Sequence, residues 1–193
     1  MSSLIRAVLS AQSVRLQPGE RADLSLNVQN FSEIVDRYTI SLDGVDPSWV
    51  SISRRELSLF PRDQDLVRIF IQVPAGPAGP AGSYEVRIHV SSQESPIERT
   101  TVPLVLEIAP ITSFEMALSP QKQGGSGDGT FAVEVRNQGN AELSLTLEAS
   151  DPEAGCLYAL TPARLTVPAG RAARAPRGVE APRVPVLTTA KSP

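Results

Sequence analysis

The chain has 193 residues, 41% of them hydrophobic, with 17 prolines, 13 glycines and few aromatics; that supplies one large core or two of ordinary sandwich size, and favours short strands joined by turns over long helices. A net charge of -3 excludes a whole-chain basic field that would gather nucleic acid or anionic lipid. The single cysteine, Cys156, excludes an internally disulfide-stapled domain.

In chain order, the N-terminus carries Arg6 early and has no apolar run of signal-peptide length, and no 18 successive apolar residues occur anywhere. The chain as written is therefore expected to be cytoplasmic and without a membrane-spanning helix. Val14 and Leu16 lead into a Pro18-Gly19-Glu20 turn, after which Ala22, Leu24, Leu26 and Val28 alternate up to Asn30. Tyr38, Ile40 and Leu42 form the next set, ending at Asp43-Gly44, then Trp49, Val50 and Ile52, then Leu57 and Leu59 before Phe60-Pro61. Val67, Ile69, Ile71 and Val73 make the longest strand. It runs into Gly76-Pro77-Ala78-Gly79-Pro80-Ala81-Gly82, read as a projecting loop because its collagen-like spacing is far too short for a triple helix. From Tyr84 the alternation resumes through Val86, Ile88 and Val90, and Val102, Leu104, Leu106 and Ile108 close the domain.

About seven strands in roughly 105 residues, with turn signals between them, is the pattern of an immunoglobulin-like β-sandwich. Tyr84, following Gly82 at the head of a core strand, is placed as a tyrosine corner, and Trp49 as a core aromatic. After Ala109-Pro110-Ile111-Thr112 the pattern restarts as an internal repeat of about 107 residues. Val28-Gln29-Asn30 matches Val135-Arg136-Asn137, Tyr38-Thr39-Ile40-Ser41-Leu42 matches Leu143-Ser144-Leu145-Thr146-Leu147, and Leu57-Ser58-Leu59-Phe60-Pro61 matches Leu165-Thr166-Val167-Pro168 with a small slip.

The copies end differently. Three strong strand patterns follow Pro61, whereas Pro168 is followed by Arg171-Ala172-Ala173-Arg174-Ala175-Pro176-Arg177-Gly178 and a Pro-broken stretch, both poor strand formers. The expected fold is all-β: residues 1–110 a complete Ig-like sandwich, 111–180 a second one lacking its C-terminal strands, and 181–193 an irregular tail. A sandwich short of a strand leaves unpaired amides and carbonyls on its neighbour. A longer parent chain, a partner that completes the sheet, or a disordered tail would each account for this.

In order and spacing, Asn30-Phe31-Ser32, Tyr38-Thr39-Ile40-Ser41-Leu42, Pro47-Ser48-Trp49-Val50, Leu57-Ser58-Leu59-Phe60-Pro61 and Ala81-Gly82-Ser83-Tyr84-Glu85-Val86 resemble the bacterial Ig-like tandem modules of the NPCBM-associated NEW3 type and related bacterial repeat proteins. The resemblance covers most of residues 10 to 108 and is weaker over 114 to 170, which lack the tryptophan and the glycine-tyrosine corner. It implies a non-catalytic module that spaces, presents or docks other parts, with no shared catalytic residues to carry over.

The residues support the same expectation. His89 is the single histidine, so neither a Ser/His/Asp set nor a multi-histidine metal site can be built in one chain; alternation puts it on the outward face with Glu85 and Arg87. Cys156 fits a buried strand face with Tyr158 and Leu160 and has no evident activating partner. The run Gly124-Gly125-Ser126-Gly127-Asp128-Gly129 precedes a strand, not the helix a phosphate loop needs. Asp43, Asp46, Asp63 and Asp65 do not have calcium-loop spacing, and Asn30-Phe31-Ser32 is a formal glycosylation sequon whose simpler role is a turn. From Arg164 onward six basic residues face one acid, while residues 111 to 163 hold two basic and seven acidic ones; no aromatics interleave the basic tail for nucleic-acid stacking.

No catalytic, cofactor or metal residues are therefore expected. The expected function is a structural or protein-interaction module, with a protein partner or self-assembly through the sheet edges of the second domain. The alternative is a carbohydrate-associated accessory module of a secreted enzyme, which would need Trp49 exposed beside Tyr38 or Tyr158.

Overall fold

The computed structural model describes residues 4–120, 129–150, 157–160, 163–180 and 186–191. Cys156 and most of the Gly124–Gly129 run lie outside them. The described chain is all-β, and it divides into two compact units, Met1–Ala75 with Ala81–Ala109 and Gly76–Pro80 with Pro110–Pro193.

The first unit is a sandwich of two sheets. One has the order β1 (Ile5–Leu9), β3 (Arg21–Asn30), β7 (Gln64–Gln72), β5 (Val50–Ile52); the other runs β2 (Ser13–Leu16), β9 (Arg99–Ile108), β8 (Gly82–Ser92), β4 (Asp36–Asp43), β6 (Glu56–Leu59). Every pairing is antiparallel except that of β2 with β9. The one addition to the expected set in this unit, β1, is an edge strand of five residues. Such short segments give almost no periodic signal.

The strict alternation in the sequence is what builds the core. Leu24, Leu26, Val28, Val67, Ile69 and Ile71 from one sheet meet Tyr38, Ile40, Val86, Ile88, Val90, Leu104 and Leu106 from the other, all essentially excluded from water. Each such aliphatic side chain contributes about 1.5–3 kcal/mol relative to exposure. Pro103 stands opposite Arg87 in β9, and β2 reaches only Val105, so at the proline the strand has a neighbour on one side. A missing amide is tolerated there.

Gly44 closes β4 at a φ of +96°, and a Cβ on it would lie 2.0 Å from the Glu85 carbonyl oxygen. Only glycine permits both the backbone angle and the approach of β8.

Among its described residues, the second unit has seven strands in a corresponding order. Its sheets have the orders β10 (Phe114–Ser119), β11 (Gly129–Asn137), β15 (Ala172–Glu180), β13 (Leu157–Leu160) and β14 (Arg164–Val167), β12 (Leu143–Ser150), β16 (Val186–Lys191). Val133, Val135, Leu143, Leu145, Leu147, Val167 and Ala175 form its core. Gly79 belongs to this unit and accepts a hydrogen bond from the Asn140 carboxamide at 2.9 Å, so the glycine-proline segment does not simply project.

The expectation for the end of the chain needs correction. The arginine-alanine run that looked like a poor strand former is β15, the central strand that pairs with both β11 and β13. Propensity is overridden by tertiary context: Ala173 and Ala175 turn toward the core while Arg174 stays exposed. Among the described residues, β13 pairs only as far as Arg177, so Pro176 has a described neighbour, Ala132 of β11, on one side. Nor is 181–193 irregular throughout, since β16 pairs with β12. Comparing the two strand orders, β16 stands where β8 stands in the first unit, and among the described residues only the places of β9 and β2 are unfilled.

Each unit is locked by a buried asparagine making the same bonds. Asn30 Nδ2 donates to the carbonyls of Ile34 (2.9 Å) and Leu59 (3.1 Å), while its Oδ1 accepts from the Ser32 amide. Asn137 Nδ2 donates to Ala141 (2.8 Å) and Val167 (2.9 Å), and its Oδ1 accepts from the Gly139 amide. With its amide nitrogen buried and doubly engaged, Asn30 is no glycan acceptor in the folded chain.

Two outcomes are expected in chemical denaturation. Gly44→Ala should destabilise by at least about 2 kcal/mol, against roughly 1 kcal/mol or less for Gly76→Ala, where φ is also positive (+63°) but nothing lies within 4 Å of the new methyl. Asn30→Ala should lose about 2–3 kcal/mol by orphaning two carbonyls, one of them in a buried bond; a loss below ~0.5 kcal/mol would show that the loop does not depend on it.

Candidate functional site

The residues singled out from the sequence come together in part. Gly82 opens β8 at a φ of +152°, with space around it, its nearest neighbour being the Tyr84 ring. Tyr84 packs edge-on against Trp49, with ring centroids 5.9 Å apart and planes at 69°, an arrangement worth about 0.5–1.5 kcal/mol beyond burial. Burial raises the Tyr84 phenol above its ordinary pKa. Trp49 sits in a single 3₁₀ turn, Pro47–Trp49, capped by Asp46, whose Oδ1 accepts from the Ser48 amide at 2.9 Å. That bond holds the Asp46 carboxyl below its ordinary range.

Packed against each other, Trp49 and Tyr84 offer no binding platform. Trp49 is 9% exposed and Tyr38 fully buried, so the stacking surface that a carbohydrate reading requires is absent from that part of the first unit. The side chain of Tyr158 lies outside the description.

Tyr38 faces the core in β4, and its buried hydroxyl lies beside the Asp36 carboxylate without a well-formed hydrogen bond. Burial first, then the charge of Asp36, push its phenol well above the ordinary range. Asp36 itself is buried and accepts from Ser92 Oγ at 2.6 Å and the Glu94 amide at 3.3 Å.

His89 differs from expectation in one respect. Alternation correctly puts it on the face opposite the core, yet it is nearly buried there, with Nε2 2.9 Å from Asp43 Oδ2 and Nδ1 2.9 Å from Thr101 Oγ1. The row runs across β4, β8 and β9, where Ser41, His89 and Thr101 are aligned by register. Because a carboxylate only accepts, Nε2–H donates to Asp43 Oδ2, which leaves Nδ1 to accept from the Thr101 hydroxyl. The arrangement is a cross-strand clamp whose parts are separated by 46 and 12 positions in sequence.

The four aspartates considered for calcium do not gather. Asp43 joins His89, Asp46 caps the turn, Asp65 pairs with Arg54 at 2.8 Å, and Asp63 lies in the turn before β7. Among the described residues, no group of three or more His, Cys, Asp or Glu is placed to hold a metal ion, and no helix is long and apolar enough to cross a membrane.

Sheet edges and loop ends are the remaining places for recognition. In the first unit the edges β1, β2, β5 and β6 have three to five residues each, a length at which a strand gains little by adding. In the second unit β10 and β16 are longer, at six residues each.

No family model matches the sequence, and no curated protein does. Among solved structures, the chain is similar to a protein of unknown function from Porphyromonas gingivalis W83 (19% identity, 90% of this chain and 83% of that one, TM-score 0.40). It is also similar to a family 123 glycoside hydrolase from Clostridium perfringens (12% identity, 55% and 27%, TM-score 0.47). A third is a structure of the Salmonella enterica SafA pilin in complex with the SafB chaperone (14% identity, 99% and 95%, TM-score 0.38). Likeness at this level concerns backbone arrangement and carries no function.

The buried tyrosine yields a pH-dependent outcome. Its folded pKa lies above the unfolded value near 10, so the stability that the neutral phenol contributes is complete below pH ~10 and is lost as pH rises through the folded pKa. Tyr38→Phe should be neutral or stabilising at pH 7, since it deletes a hydroxyl that lacks a well-formed hydrogen bond. It should also flatten the loss of stability above pH ~10 in urea titrations; a wild-type slope unchanged in the variant would refute the assignment.

Proposed function

We propose that the chain is a non-catalytic interaction module, two copies of one Ig-like unit of the NEW3-like kind, that docks a partner polypeptide by strand addition to β16. One observation carries the reading: β16 occupies the place of β8, whose outer side in the first unit is covered by the ten-residue β9. Among the described residues β16 pairs only with β12.

Register in the first unit indicates what an added strand would look like. In β9, Leu104, Leu106 and Ile108 face the core while Pro103, Val105 and Glu107 face out, and backbone bonds to β8 run from Arg99 to Ile108. An extended segment of alternating apolar residues would therefore supply main-chain bonds for affinity and alternate side chains for specificity. The non-catalytic reading has support in the way the polar side chains are used: His89, Asp43, Asp36, Ser92 and Asn30 are each engaged in fixing strands and loops. The carbohydrate alternative has no comparable support with Trp49 buried.

The test is amide hydrogen exchange over residues 186–191 of the full chain, with a synthetic peptide copying Arg99–Ala109 as the probe. Added peptide should slow exchange in β16. The same peptide N-methylated at alternate residues should not. Unchanged exchange at about 1 mM peptide, where binding is worth only ~4 kcal/mol, or equal effects of the two peptides, would overturn the proposal.

A further inference from the structure

In the first unit β9 does two things at once. Its backbone completes the sheet beside β8, and its inward side chains Leu104, Leu106 and Ile108 join the core, where β9 also lies against β1 across the sandwich. Covered in this way, the inward residues at the two ends of β1 are dry: Ile5 is 3% exposed and Leu9 8%.

Register carries the comparison to the second unit. Ile5 stands opposite Asn30, the last residue of β3, and Phe114 stands opposite Asn137, the last residue of β11. Phe114 therefore corresponds to Ile5, Met116 to Ala7 and Leu118 to Leu9, and all three pack on the core of their unit. Yet each is only half-buried, and β10 has no fully buried residue. Their partners in the next strand, Val135 opposite Met116 and Val133 opposite Leu118, are essentially excluded from water. The exposure is thus confined to the β10 wall and is not a general looseness of the unit.

Among the described residues no strand lies where β9 would cover these side chains. The edge of β16 and the inward face of β10 border the same place, the one that β9 fills in the first unit. What covers it there is an extended strand with aliphatic residues at alternate positions, held by its backbone on one sheet and by its side chains against the other.

We infer that Phe114, Met116 and Leu118 form the side-chain wall of a strand-binding groove, and that the polypeptide held at β16 inserts apolar residues at positions i, i+2 and i+4 against them. Such insertion rests on the strand addition proposed above and goes beyond it. The guest becomes part of the core, so its affinity depends on side chains as well as on the main chain. Met116 stands where the first unit has Ala7, and an unbranched thioether repacks around side chains of different shape. The groove therefore accepts leucine, isoleucine or valine alike and rejects polar residues at the inward positions, where they would be buried without partners.

The test uses the methyl-labelled full chain with two probes: the Arg99–Ala109 peptide, and the same peptide carrying Leu104→Ser, Leu106→Ser and Ile108→Ser. Met1 and Met116 are its only methionines, so one substitution assigns the Met116 signal. The parent peptide should shift the Met116 methyl saturably and give a nuclear Overhauser contact between it and the peptide's leucine methyls. The serine peptide should bind at least about ten-fold more weakly, a comparison that leaves the chain itself untouched. Met116→Ser should weaken the parent peptide at least about five-fold and Met116→Leu should restore it, with the core methyls of Val135 and Leu145 unmoved. Slowed exchange in β16 with an unmoved Met116 methyl, or equal affinity for the two peptides, would overturn the inference and leave strand addition standing. Absence of both effects would remove the two together. Concentration-dependent shifts of the Met116 methyl in the chain alone, abolished by Met116→Ser, would also overturn it, because the occupant would then be a second copy.

Discussion

A buried carboxamide is the constraint on which each unit depends. Asn30 and Asn137 sit at the last residue of a central strand and reach across to the carbonyl that ends an edge strand on the other sheet, taking in a loop carbonyl on the way. Such bonds add only about 1 kcal/mol each when made, but leaving their partners unmade in the interior is far more expensive. The two sheets are thereby held in register at one end, and the loop between the strands has one conformation.

The same economy of polar groups runs through the first unit. Asp36 anchors the β8–β9 turn through Ser92 and Glu94, Asp46 holds the turn that presents Trp49, and His89 joins three strands through Asp43 and Thr101. Side chains that would raise the question of chemistry in an enzyme are consumed here in geometry. Tyr38 is the exception, its hydroxyl buried without a well-formed hydrogen bond, while its ring fills the centre of the core. The result is a β-sandwich whose loops and strand ends are held by buried polar bonds.

The two units show how one plan diverges. Their strand orders agree through β8 and β16, and their asparagine locks agree bond for bond. They differ where the first unit has β9. One unit is thus closed at its sheet. In the other, β16 has no second partner among the described residues.

The sequence by itself determined the all-β class and the alternating core from Leu24 to Ile108. These are readable because a strand's side chains alternate with period two and because turns demand particular residues, so the signal lies within a few neighbouring positions. Tertiary structure alone decided that the arginine-alanine run around Arg174 is a central strand and that an outward-facing His89 is nearly buried between Asp43 and Thr101. Each of these depends on pairing register between segments tens of residues apart. A one-residue slip would reverse every face, and no local pattern fixes that choice.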